Sequence, residues 1–193
     1  MFLNNSILKK LMKQAYKDGA LVVAQTEERY YIAGTYWEMD VRKEFMPKQI
    51  MAQIIELAGE VPAVGKSFRG TKDGNIEEDW LRSAVRTEEF SKPIDVTDMI
   101  IIGRLGKHQR VLQEHEKGQT YIVNNVFIEI ADNNAAETDR GEYEVSVPLY
   151  NAQKGILWEN NVARLRAGWR IDEKHEELMK ELSGIDLMIG EEV

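Results

Sequence analysis

The chain has 193 residues, of which 43% are hydrophobic and 30% are charged, and this balance argues against an intrinsically disordered protein. Its formal net charge of −8 argues against binding to duplex DNA, because neutralising backbone phosphates requires an excess of lysine and arginine. The sequence has no cysteine, which excludes disulfides and thiolate metal sites, and no apolar run approaches the roughly 20 residues that span a bilayer.

The first sixty residues predict a helix, three strands and a second helix. An i, i+4 apolar stripe predicts the first helix over residues 6–17, capped by Ser6, and a strand follows at residues 20–25. Residues 30–32 and 35–41 are typical of a hairpin. Pro47 suits the first turn of the second helix, which we expect to end at Gly59.

The middle of the chain, residues 60–106, has a less regular pattern of apolar and polar residues. Residues 60–76 contain several glycines and predict a loop, and residues 76–85 predict a third helix. Residues 95–106 fit a strand or a helix equally well, and we expect their apolar run at 99–102 to be buried. Pro93 is the best candidate boundary between two halves. Residues 1–92 would form a helix–hairpin–helix half and residues 93–193 a strand-rich acidic half, although both could share one compact domain.

The second half alternates apolar and polar residues with the period of two that is typical of strands. We expect strands at residues 110–115, 119–123, 126–131, 142–150, 155–158 and 162–165. Asp172 is expected to cap a last helix that turns Leu178, Met179 and Leu182 inward. These elements predict an α+β protein with antiparallel sheets, three or four helices and a strand-rich C-terminal half.

Acidic residues are concentrated in the second half. Residues 1–100 carry a net charge of −2, and residues 101–193 carry −6. Six of the 16 residues from 129 to 144 are acidic, against one base, Arg140. We expect this segment to be a hairpin with an acidic tip that contacts a basic protein partner. Its candidate partner-binding residues are Glu129, Asp132, Glu137, Asp139, Glu142 and Glu144.

Aromatic residues are concentrated on the first predicted hairpin. Tyr31, Tyr36 and Trp37 are candidates for exposed side chains that anchor a partner, because desolvated aromatic residues hold a formed complex together. Packing in the core is the alternative for the same residues.

No sequence motif predicts a catalytic centre or a cofactor, and the expected protein is not an enzyme. An alternative is a metal-dependent nuclease or nucleotide hydrolase in which His108 and His115, seven residues apart, meet beside Glu114 or Glu116. The N-terminus has no features of a secretory signal, so we expect a cytoplasmic protein that does not contact membranes.

The layout of Asp18-Gly19, residues 26–34 and the helix beginning at Pro47 is similar to that of small phage and mobile-element proteins of Gram-positive bacteria. That group includes type II anti-CRISPR proteins. The second half resembles a sliding-clamp-like domain in the order of residues 118–124, 126–128 and 147–150.

The resemblance to anti-CRISPR proteins implies an acidic inhibitor without cofactors that occupies the nucleic-acid channel of a CRISPR effector nuclease, with or without its guide RNA. Direct DNA binding is then not expected, and self-association is left open. The clamp-like resemblance implies instead an accessory protein of mobile-element replication with a basic face towards DNA. The bases available for that face are Lys66, Arg69, Lys72, Arg164, Arg166 and Arg170.

Overall fold

The computed structural model describes residues 2–82, 89–103, 107–115, 118–131, 147–169 and 175–188. Its helices are α1 (Asn5–Lys17), α2 (Lys48–Ala58), α3 (Val126–Ile130) and α4 (Glu176–Leu182). Its first five strands are β1 (Leu21–Gln25), β2 (Arg29–Ala33), β3 (Trp37–Arg42), β4 (Lys66–Thr71) and β5 (Gly74–Glu78). The others are β6 (Lys92–Ile102), β7 (His108–Glu114), β8 (Thr120–Asn124), β9 (Leu149–Asn151), β10 (Gly155–Glu159) and β11 (Ala163–Ala167).

The predicted α+β class with antiparallel strands is confirmed. The 11 strands form one sheet in the order β5-β4-β1-β2-β3-β11-β10-β9-β6-β7-β8, and each strand pair is antiparallel. The first and last thirds of the chain meet where β3 pairs with β11, with Trp37 opposite Ala167 and Val41 opposite Ala163.

Two predicted helices of the first half are confirmed, with a corrected start for α1. The cap of α1 is Asn4 and not Ser6, because the Asn4 Oδ1 accepts hydrogen bonds from the Ser6 and Ile7 backbone amides at 3.0 and 3.2 Å. Helix α2 follows Pro47, and Gly59 ends it in the left-handed region at φ 78°.

The predicted loop at residues 60–76 is wrong from Lys66 onwards. A hairpin of β4 and β5 lies there, with Arg69 opposite Ile76 and Thr71 opposite Gly74, whose φ is 120°. Gly74 therefore belongs to a tight hairpin turn rather than to a loop. The predicted third helix is also wrong over its first residues, because Ile76 lies in β5 and Trp80–Arg82 form a single 3₁₀ turn. Its remaining residues, 83–85, lie outside the described part of the chain.

Strand β6 decides the ambiguity at residues 95–102 in favour of a strand. It runs through Pro93, which is exposed and opposite Leu149 of β9. The expected burial of the run at 99–102 is wrong, because Met99, Ile100 and Ile102 retain 37%, 42% and 72% of their exposed surface. The sheet has no layer packed over that end of the strand among the described residues.

The predicted strand at residues 126–131 is instead helix α3. Phe127 and Ile130, three positions apart, are both buried, which a helix allows on one face. The Ile130 carbonyl also accepts a hydrogen bond from the Asn4 backbone amide at 2.8 Å. Packing against the N-terminal segment therefore overrides the β propensity of Val, Phe and Ile.

The hairpins β7–β8 and β10–β11 are confirmed close to their predicted positions. The predicted strand at residues 142–150 is described only from residue 147, and β9 occupies its end. Helix α4 is confirmed, but its expected cap Asp172 lies outside the described residues. Its inward face is narrower than expected, since Leu182 is buried while Leu178 is 37% exposed.

A single hydrophobic cluster lies between the sheet and the helices α1, α2 and α3. It contains Phe68 of β4 and Val123 of β8, which come from opposite ends of the sheet, so the sheet curves around α1. The opposite face of β2, β3 and β11 carries polar side chains, among them the ion-paired residues Arg29, Asp40, Glu38 and Arg166.

Candidate functional site

The structure describes one of the six candidate acidic residues. Glu129 lies on α3, is exposed, and accepts a hydrogen bond from Asn125 Nδ2 at 2.7 Å. The other five lie outside the described residues: Asp132, Glu137, Asp139, Glu142 and Glu144.

The three candidate aromatic anchors do not form one surface. Tyr36 is 67% exposed in the β2–β3 turn. Trp37 is 5% exposed, so the expectation of an exposed tryptophan is wrong. Strand alternation turns Trp37 to the face covered by helices, together with Met39 and Val41.

Tyr31 lies on the opposite face from Trp37 and is partly buried. Its ring contacts Trp80 at 5.8 Å between centroids and 60° between planes. Burial, followed by the neighbouring Asp40 carboxylate, raises the pKa of the Tyr31 hydroxyl. Tyr31 is thus held by the 3₁₀ turn rather than presented freely to a partner.

A network of ion pairs crosses the polar face of the sheet. Arg29 Nε donates to Asp40 Oδ1, and Arg29 Nη2 donates to the Val162 carbonyl at 3.3 Å. Next to this pair, Arg166 Nε lies 3.2 Å from Glu38 Oε1, its opposite residue on β3.

Burial has the largest influence on the pKa of the Asp40 carboxyl. It raises the pKa of the Asp40 carboxyl, against the opposing effect of Arg29 and Arg164. Sequence reasoning missed this network, although Glu38 and Asp40 alternate along β3 in the same way as Arg164 and Arg166 alternate along β11.

The candidate basic residues are largely paired with acids of the same fold. Arg164 Nε lies 3.4 Å from Glu159 Oε2, and Lys66 Nζ lies 2.6 Å from Glu77 Oε1. Arg69 pairs with Glu78, and Lys72 is exposed. Arg170 lies outside the described residues. Of the candidate bases that the structure describes, Lys72 is therefore the one without an acidic partner, and the others do not form an open cationic face.

The two candidate metal-binding histidines do not meet. His108 begins β7 and His115 follows its last residue, Glu114, so the two are about 23 Å apart at the usual rise of a strand. His115 Nδ1 lies 3.0 Å from Asp95 Oδ2. Within the described ranges, no group of three or more His, Asp or Glu side chains could hold a metal ion.

A second polar cluster lies between β7, β8 and β9. Glu114 accepts hydrogen bonds from the Tyr121 hydroxyl at 3.3 Å and from the Tyr150 hydroxyl. Burial and then Glu114 raise the pKa of Tyr121 to about 12, and the same causes raise the pKa of Tyr150. Both hydroxyls remain protonated at neutral pH, so neither tyrosine acts as a general base.

Tyr121 also lies at the floor of an open cleft of about 970 Å³ between β8, α4 and the β9–β10 turn. Trp169 stacks on Tyr121 at 4.7 Å and 22°, and its Nε1 donates to the Asn151 carbonyl at 2.9 Å. These contacts fix both rings, which form an aromatic wall of the cleft, and His175, Glu176 and Lys180 also line it.

The chain matches no known family model, no curated protein sequence and no solved structure. No helix in the described part of the chain has the length and apolar character needed to cross a membrane.

Proposed function

We propose that this chain is a non-enzymatic inhibitor that binds a basic, nucleic-acid-handling protein. The partner that we propose is a CRISPR effector nuclease, and the place of action is the cytoplasm. We base this proposal on the charge of the chain and on the resemblance to anti-CRISPR proteins.

One observation carries the proposal: the chain has 33 acidic and 25 basic residues, and part of the basic charge is engaged by acids of the same fold. Eight lysines and arginines of the described residues form ion pairs with carboxylates, while the whole chain retains a net charge of −8. The excess charge is carried by carboxylates, so the long-range electrostatic potential of the protein is negative on balance. Such a field attracts a cationic groove and repels nucleic acid.

The geometry supports the two alternatives less well. A metal-dependent hydrolase needs converging ligands, and His108 and His115 are separated by the length of β7. A clamp-like accessory protein needs cations facing DNA, and Lys66, Arg69 and Arg164 are each paired with a carboxylate.

In the proposed complex, carboxylates of residues 129–144 take the place of backbone phosphates and pair with arginine and lysine in the partner's groove. The test is a binding assay with a purified CRISPR effector nuclease, with and without its guide RNA, combined with a cleavage assay. The proposal predicts binding that weakens steeply with salt and a loss of DNA cleavage.

A control panel separates the other functions. Incubation with single-stranded DNA, RNA and nucleotides, with and without Mg²⁺ or Mn²⁺, would reveal a hydrolase by turnover. Direct binding to duplex DNA that depends on Lys72 would support the clamp-like alternative. Either result, together with no binding to effector nucleases, would refute the inhibitor proposal.

A further inference from the structure

The chain contains two Asp-Gly steps, Asp18-Gly19 and Asp73-Gly74, and each is preceded by a lysine. Such a step is chemically special because glycine has no side chain to hinder attack of its backbone nitrogen on the preceding carboxyl group. The first step follows α1, whereas the second belongs to the turn between β4 and β5. The same Lys-Asp-Gly sequence is thus found in two local structures of one chain.

Hydrogen bonds hold the Asp18-Gly19 step in place. Both carboxylate oxygens of Asp18 accept from Gln14 Nε2, at 2.9 and 3.0 Å. The Gly19 amide donates to the Tyr16 carbonyl at 3.1 Å, so the attacking nitrogen and the carboxyl group are both engaged. Asp18 also has helical backbone angles of φ −82° and ψ −1°. Reaction between the two residues therefore requires the end of α1 to open.

The Asp73-Gly74 step lies at the exposed tip of the β4–β5 hairpin. Thr71 is opposite Gly74, and Lys72 and Asp73 form the two-residue turn. The Asp73 amide donates to Thr71 Oγ1 at 3.3 Å, and Thr71 Oγ1 donates to the Gly74 carbonyl at 2.7 Å. Among the residues that the structure describes, none donates a hydrogen bond to the Asp73 carboxylate. The reacting carboxyl group of this step is therefore free to rotate.

The turn also has room for its backbone to move. Gly74 has φ 120°, and in the described structure a Cβ built on it would have no atom beyond its chain neighbours within 4 Å. Strand β5 is the last strand of the sheet, and β4 is its neighbour in the strand order. A hairpin tip at the end of a sheet opens at a low free-energy cost, because few contacts are lost.

We infer that Asp73-Gly74 is a site of spontaneous isoaspartate formation. The Gly74 backbone nitrogen attacks Cγ of the protonated Asp73 carboxyl group, and a carbon–nitrogen bond forms. The carboxyl hydroxyl leaves as water together with the amide proton, which gives a five-membered cyclic imide without any oxidant or cofactor. Water then opens the ring at either carbonyl. One opening regenerates aspartate, and the other gives isoaspartate, in which the main chain runs through the side-chain carbon.

Isoaspartate adds one carbon to the backbone of the two-residue turn. The pairing of Thr71 with Gly74 then no longer fits, because loop length fixes the register of a hairpin. Net charge stays the same, since the product keeps one carboxylate. We expect β5 to detach from β4, with loss of the ion pair between Lys66 and Glu77, while β1 and β2 stay paired. This modification is independent of the proposed inhibitor function, which uses residues 129–144.

Incubation of the purified, folded protein at physiological temperature and neutral pH tests the inference. Isoaspartate has the same mass as aspartate, so digested samples are separated by chromatography and the modified residue is located by electron-transfer fragmentation. Isoaspartate is expected to accumulate with time at Asp73, several-fold faster than at Asp18. In the aged protein, hydrogen exchange should be faster at the amides of β5 and unchanged at those of β2.

Two variants and one solvent condition serve as controls. Asp73→Glu keeps the charge of the turn but must close a less favourable six-membered ring, so it should abolish the modification there. Asp18→Glu should leave the accumulation at Asp73 unchanged. In urea, where the hydrogen bonds around Asp18 are lost, the two Lys-Asp-Gly steps should react at similar rates.

Three outcomes would overturn the inference. Equal accumulation at Asp18 and Asp73 in the folded protein removes the role assigned to the hairpin. Accumulation at Asp73 in urea but not in the folded protein shows that the turn protects this step. A difference between the two steps that persists in urea assigns the reactivity to the residues that follow each glycine and not to the fold.

Discussion

Arg29 and Asp40 form an ion pair from diagonal positions on β2 and β3, and the two side chains are only 15% and 11% exposed. The same guanidinium reaches the carbonyl of Val162, so the contact joins the first hairpin to the segment preceding β11. It therefore links parts of the chain that are 133 residues apart in sequence.

Breaking this pair is expected to destabilise the protein. Replacing Arg29 with Met leaves the Asp40 carboxylate largely buried without its main cation, which typically costs about 3–5 kcal/mol in the free energy of unfolding. Arg42→Met is the control, since Arg42 lies opposite Arg29 and is exposed, and its change should stay within about 0.5 kcal/mol. Urea denaturation measures both. Equal losses in the two variants would contradict a special role for the pair.

The titration of Asp40 gives a pH dependence with a definite sign. Burial raises its pKa in the folded state above the model value of 3.8, so the folded state retains the proton to higher pH than the unfolded state. The Asp40 contribution to stability is therefore fully present below 3.8 and is lost as pH rises through the raised pKa.

Asp40→Asn lacks this titration. The free energy of unfolding of wild type minus that of Asp40→Asn should decrease as pH rises through this range, as measured by urea denaturation at a series of pH values. A difference that increases with pH would show that the ion pair with Arg29 outweighs burial.

The neighbouring aromatic residues Tyr36 and Trp37 differ in burial, so their replacements should differ in their effect on stability. Trp37→Ala removes a core side chain and is expected to cost about 3–5 kcal/mol, with a lower Tm. Tyr36→Ala should change stability by no more than about 0.5 kcal/mol, because Tyr36 is 67% exposed. Thermal melts of the isolated variants measure the difference. A stable Trp37→Ala variant would show that its site in the core is not closely packed.

Local patterns predicted the elements whose signals lie within a few residues. Pro47 and Gly59 mark the ends of α2, and the β10–β11 hairpin follows from two apolar runs around Asn160-Asn161. Helix α3 was predicted as a strand because its residues favour strands, whereas its conformation depends on burial against the N-terminal segment. The run at residues 99–102 was predicted to be buried because it is apolar, whereas the exposure of Met99, Ile100 and Ile102 depends on tertiary packing that composition does not show.

The charged network could not be predicted for a similar reason. The positions of Glu38 and Arg166 opposite each other depend on the pairing of β3 with β11, strands far apart in sequence. The alternation of charges along each strand was visible, but the register that brings them together was not.

Gln113 holds the segment that follows α4, so its replacement should let this segment unfold locally. Gln113, 1% exposed, donates through Nε2 to the Ile185 carbonyl at 2.6 Å and accepts from the Leu187 amide at 2.9 Å. Gln113→Leu removes both contacts and leaves two backbone groups without their partner. The Leu187 amide should exchange faster, and trypsin should cleave faster after Lys180, while the amides of β1 are unaffected. Unchanged exchange at Leu187 would show that other contacts hold α4.

The proposed inhibitor function predicts how charge affects binding kinetics. Attraction over long distances steers the encounter of two proteins, so it acts on the association rate and weakens with ionic strength. Glu129→Lys and Asp139→Lys should therefore slow association with the effector nuclease at low salt and change dissociation less. Glu27→Lys, at an exposed position in the first half, makes the same change in net charge and serves as the control. Stopped-flow or surface-based kinetics at several salt concentrations measure the rates, after thermal melts have shown that each variant is folded.

If Glu27→Lys slows association as much as the other two, net charge alone controls the encounter, and residues 129–144 do not form the binding surface. If Glu129→Lys and Asp139→Lys retain wild-type association and inhibition, these carboxylates do not imitate nucleic-acid phosphates.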